Sequence, residues 1–170
     1  MKFIILADLH LTGNTPIARL DNIEETWKRK LKFILDYASK NKMPILVGGD
    51  FFDKPRDWKT LSEFLKFIAD YPDVSIRSIW GQHDMYLYSA DRYSTSLGVL
   101  INSGLVRELK DRYPNMGWVF KGFSNLAIYG CSWGQEIPKP EGIINILSSI
   151  KTLVRLHYFR DMNTQMLTSF

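Results

Sequence analysis

Ile45-Leu46-Val47-Gly48-Gly49-Asp50-Phe51-Phe52-Asp53 is the stretch on which the reading of this chain turns. A short apolar run that stops on two glycines reads as a buried strand ending in a tight turn, because glycine alone allows those backbone angles. In open α/β sheets ligands sit at the carboxyl ends of parallel strands, so Asp50 is placed at such a mouth. An acid that merely caps a helix or closes the turn is the structural alternative.

Upstream, Lys2 to Leu6 is apolar, isoleucine-rich and too short for a helix, and so reads as a central strand. It ends in Ala7-Asp8-Leu9-His10. Residues two apart in an extended segment share a side, so Asp8 and His10 are expected to converge as a bidentate metal-ligand pair. A solvent-facing acid beside a hydrogen-bonded histidine is the plainer reading of the same pattern. From Asn22 the apolar residues Ile23, Trp27, Leu31, Ile34, Leu35 and Ala38 recur at helical spacing, with Asn22 and Glu25 resembling a capping pair. Strand, helix and strand make a β-α-β unit, with parallel strands and a right-handed crossover expected. Asp8, His10 and Asp50 would then share one edge.

Downstream, Lys54-Pro55-Arg56-Asp57 is a turn, and Leu61, Phe64, Leu65 and Ile68 mark the inward face of a second helix. Val74 to Trp80 reads as a third strand, again followed by a glycine, in Gly81-Gln82-His83-Asp84. Three strands thus end in metal-competent or proton-transferring groups. The loop Met85 to Tyr93 holds Tyr86, Tyr88 and Tyr93, which could stack on nucleobases or simply pack on the sheet. A short helix over Leu97 to Ile101 is followed by strand-like runs at Leu105–Leu109, Trp118–Phe120, Leu126–Cys131 and Ile143–Leu147, so the second half reads as a strand-rich layer.

With 170 residues, 45% of them hydrophobic, the chain suits one globular domain with a sizeable core. No apolar run approaches the roughly 20 residues that cross a bilayer, and the chain opens directly on a strand-like segment, so a cytoplasmic protein without membrane association is expected. Cys131 is the single cysteine, which rules out an intramolecular disulfide and suits a small buried side chain. A net charge of +4 is compatible with a polyanionic partner without requiring one.

Taken together, Asp8-x-His10, Gly49-Asp50 and Gly81-Gln82-His83-Asp84 resemble the motif series of the calcineurin-like metallophosphoesterases. Within that superfamily Leu6-Ala7-Asp8-Leu9-His10-Leu11, Val47 to Asp53 and Gly81 to Tyr86 are most similar to SbcD-type DNA repair exonucleases of bacteria and phages. The resemblance implies an α/β fold, a metallophosphoesterase-type β-sandwich flanked by helices. It implies two divalent ions, Mn2+ first and iron or zinc as alternatives, with Asp8 and His10 on the first, Asp50 bridging and Gln82 reaching the second. His83 would be the catalytic acid–base residue; no substrate-binding residue is singled out. DNA and, for a full-length form, an SbcC-like coiled-coil ATPase are the implied partners. A phosphomonoesterase or cyclic-nucleotide phosphodiesterase on the same scaffold, or a non-catalytic truncated remnant, are the alternatives.

Two departures from the pattern stand out. Gln82 replaces the usual asparagine and is longer by a methylene. The further histidines of the second half are missing, because the only one left is His157, in Val154-Arg155-Leu156-His157-Tyr158-Phe159. The metallophosphoesterase domain is therefore expected over 1–147, incomplete in its C-terminal half, with 148–170 an atypical tail. One codon choice for Ser148-Ser149-Ile150-Lys151 spells Ile-His-Lys in a neighbouring frame, so this tail is read as out-of-frame sequence, with a plain truncation or a genuine divergent ending as the alternatives.

Overall fold

The computed structural model describes residues 2–87, 92–109, 118–119, 126–135, 144–149 and 152–158. Tyr88, Phe120, Ile143, the loop beyond Gln135 and the tail beyond Tyr158 lie outside the described residues. The first half is a parallel sheet, β1 (Ile4–Leu6), β2 (Ile45–Val47), β3 (Ile76–Ser78) and β4 (Val106–Glu108), in sequential order. Helices α1 (Ile23–Asn41), α2 (Trp58–Ile68) and α3 (Ser96–Asn102) fill the connections. Ile4 pairs with Ile45 and Ile45 with Ile76, so corresponding strand ends are level and all three ends open at one edge.

Parallel strands need long crossovers, and here each contains a helix with one apolar face. Trp27, Leu31, Leu35 and Ala38 of α1, Leu61, Phe64 and Ile68 of α2, and Leu97 and Leu100 of α3 join Ile45, Val47, Ile76 and Val106 in one buried cluster. A sheet winding in a single direction keeps its helices on one face, which explains why a single core serves all three. The Asn22 side chain accepts from the backbone N–H groups of Glu24 and Glu25, capping α1, whose last turn closes on left-handed Lys42. On the other face Leu46 is buried, Ile5 is partly exposed, and Arg77 lies in register with Arg107. Burial, with the neighbouring Arg107 charge, lowers the Arg77 guanidinium to about 10.

The second half is the expected strand-rich layer. Strands β5 (Trp118–Val119), β6 (Leu126–Gly130), β7 (Ile144–Ser149) and β8 (Thr152–Tyr158) form a second four-stranded sheet, in which β6 and β7 are parallel and the other pairs antiparallel. Strand β8 was not anticipated; His157 lies on it, opposite Asn145 of β7. The end of β6 abuts the first sheet. A Cβ on Gly130 would overlap the Leu109 carbonyl, Ser132 Oγ accepts from Trp80 N at 3.1 Å, and Trp133 N donates to Trp80 O at 2.9 Å. Among the described residues no helix is long and apolar enough to cross a membrane.

Candidate metal centre

Beyond their last paired residues, the tips of β1 and β2 continue side by side. His10 N donates to Asp50 O at 2.9 Å, Leu11 N to Phe51 O at 3.0 Å, and Asp53 N to Leu11 O at 3.1 Å. The turn at Gly48-Gly49 is as expected from its composition: Gly49 has φ 96°, a conformation that costs glycine little. Asp50 follows with φ 47°, and Asp8 and His10 have φ 52° and 42°. Non-glycine residues are uncommon in this left-handed region, and their local strain is of the kind found at functional sites.

These angles correct one expectation. Asp8 and His10 do not lie in an extended segment, so the rule that puts alternate residues on one side does not hold there. His10 joins Asp50 and His83, one donor atom from each lying within 4.8 Å of the others, whereas Asp8 is exposed and not one of the three. Gln82 is half-buried in the turn that carries His83, and its carbonyl accepts from Met85 N at 3.4 Å.

Each member of the trio is held by main-chain contacts. Asp50 is buried, and its Oδ1 accepts from His83 N at 2.8 Å, so part of the carboxylate does the structural work of joining the tips of β2 and β3. The close approach depends on Gly81, since a Cβ there would overlap both Asp50 N and Oδ1. The His83 ring sets Nδ1 3.0 Å from the Asp53 carbonyl oxygen and stands edge-on to the His10 ring, centroids 4.8 Å apart. His10 Nδ1 is buried and makes no hydrogen bond; the Asp53 carboxylate, at 3.7 Å, is too far to accept one.

A buried ring nitrogen without a partner is costly in a folded protein, and a cation bound beside it would satisfy it. Two imidazoles and a carboxylate form a mixed nitrogen and oxygen donor set suited to first-row divalent metals, with no thiolate among them. The residues present therefore fit a divalent cation.

Asp84 is the residue whose importance sequence spacing did not reveal. It is fully buried, and its two oxygens accept from Phe51 N at 3.0 Å, Phe52 N at 3.1 Å and Gly81 N at 2.9 Å, tying the β2 and β3 tips together. Burial pushes its carboxyl up to about 6, the three N–H donors pull the other way, and the Asp50 charge adds to the rise. The available signal was its place as the last residue of the Gly81-Gln82-His83-Asp84 motif.

The model of the calcineurin-like phosphoesterase family matches residues 1–164, nearly the whole chain. No curated protein matches it. A match of that extent, over a parallel sheet whose strand tips gather imidazole and carboxylate donors, places this chain in the calcineurin-like phosphoesterases, hydrolases that cleave phosphoesters with the help of divalent metals.

Proposed function

We propose that the protein is a phosphodiesterase acting on DNA, an exo- or endonuclease of the SbcD type that serves DNA repair or recombination in the cytoplasm, beside an SbcC-like coiled-coil ATPase. The observation that carries the proposal is the convergence of His10, Asp50 and His83 from three successive strand tips. Its finer grade rests on the Leu6–Leu11, Val47–Asp53 and Gly81–Tyr86 segments.

Asp8, His10, Asp50 and Gln82 are the proposed ligands of two Mn2+ ions. Ions so held would supply an activated water and neutralise charge on the phosphate. His83, although it lies within reach of a cation held by His10 and Asp50, is assigned to the proton instead of to an ion. A carbonyl oxygen can only accept, so the contact with Asp53 O assigns the hydrogen to Nδ1 and leaves Nε2 as the nitrogen that exchanges a proton with substrate. In the imidazolium form Nε2 can protonate the leaving oxygen, and exposure of the ring keeps it open to solvent for reprotonation.

With three histidines in the whole chain, fewer than the resemblance calls for, turnover is expected to be weak. The purified protein with Mn2+ should cleave linear duplex or single-stranded DNA slowly, and Asp50→Ala should remove that activity. Efficient hydrolysis of small phosphate esters with DNA untouched would overturn the nuclease assignment.

A further inference from the structure

The rim beside His83 carries a built feature that the chemistry at the trio does not use. The Arg56 guanidinium carbon lies 3.9 Å from the centroid of the Tyr86 ring, a stacking distance. Arg56 is fixed edgewise as well, its Nε donating to Ser94 O at 3.3 Å and its Nη2 to Ser94 Oγ at 3.1 Å. Ser94 ends a short 3-10 turn, Arg92–Ser94, whose Tyr93 donates its hydroxyl to Glu108 Oε2 at 3.0 Å. Glu108 Oε1 in turn accepts from the indole of fully buried Trp80 at 2.8 Å, and Trp80 meets the Tyr93 ring edge-on at 5.7 Å. Gly98 completes the support, because a Cβ there would overlap the Tyr93 carbonyl. The stack is thus anchored through the 3-10 turn to β4 and to the core.

Packing alone does not account for it. Tyr86 is 38% exposed and Arg56 is exposed too. Among the described residues no carboxylate pairs with Arg56. A flat ring backed by a planar cation answers the two features that single-stranded nucleic acid presents, a base face and a phosphate. Its position matches. Tyr86 follows His83 by three residues, and Arg56 follows Asp53, the backbone partner of His83, by three. That spacing limits the Tyr86 backbone to roughly 10 Å from His83, and the Arg56 backbone to roughly 10 Å from Asp53.

We propose that Tyr86, backed by Arg56, is the platform on which an unpaired base next to the scissile phosphate stacks, so that the preferred substrate is a single strand or a frayed end. The proposal rests on the nuclease reading above and is tested apart from it. Without added metal, so that nothing is cut, binding of a single-stranded oligodeoxynucleotide is compared with that of an abasic strand of equal length and charge. The protein should hold the base-bearing strand roughly ten-fold or more tighter, as expected of base–aromatic stacking. Tyr86→Ala should bind both strands at the abasic level, Tyr86→Phe should keep the preference, and Arg56→Lys, which keeps the charge but not the plane, should lose part of it. A 2-aminopurine in the strand should be quenched on binding the protein and not on binding Tyr86→Ala. Binding of both strands with equal affinity would overturn the platform while leaving the nuclease reading intact. Binding of neither would remove both.

Discussion

At the residue scale, two small features decide whether the site exists. Gly81 leaves room for Asp50, and Gly81→Ala should cost about 3 kcal/mol, at the upper end of what overpacking does, because the overlapping atoms include backbone. A urea titration measures it, and a midpoint within error of wild type would contradict the close approach. Asp84 yields a pH signature. Its folded value of about 6 exceeds the ordinary 3.8, so the native state holds the proton longer, and the stability this group contributes declines as pH rises from about 4 to about 6. Asp84→Asn should flatten that part of the profile. It should also lose about 1–3 kcal/mol, since its NH2 group would face a backbone N–H that now has an acceptor. Little of this was legible in the sequence. Motif spacing marks His10, Asp50 and His83, but left-handed backbone at Asp8 and His10 is invisible to a rule that assumes an extended strand. The structural duty of Asp84 depends on N–H groups more than thirty positions away.

At the scale of elements, periodicity was a good guide. The apolar spacing from Ile23 to Ala38 predicts the buried face of α1, and Asn22 caps it as its residue type suggests. Asn22→Ala should lower stability by about 1 kcal/mol without touching the metal centre, which thermal unfolding and metal titration can separate. Strand ends were less legible. Val74 to Trp80 reads as one run, yet only Ile76–Ser78 pairs in register as β3; Ile79 N still reaches Val47 O, while Trp80 bonds instead to Ser132 Oγ and Trp133 N. Strand β8 had a signal of its own, Val154, Leu156 and Tyr158 alternating with Arg155 and His157.

At the scale of the whole molecule, parallel strands with their tips at one edge were readable from three strand runs ending in polar groups, and the second layer from four later strand-like runs, whereas the sequential order and the single helix-covered face were not. A ligand that binds only the folded form stabilises it by about 2.7 kcal/mol at a hundred times its dissociation constant. Mn2+ should therefore raise the unfolding midpoint by several degrees, a chelator should reverse the rise, and Asp50→Ala should abolish it. A midpoint indifferent to Mn2+ would leave His10 and Asp50 without a cation. The way the three tips are laced to one another also bears on how the edge comes apart. His10 N holds Asp50 O, His83 N holds the Asp50 side chain, and Phe51, Phe52 and Gly81 all hold Asp84. No loop can swing out alone, so the amides of these five residues should exchange with solvent at a common rate, as a single breathing unit that sheds its grip on an ion all at once.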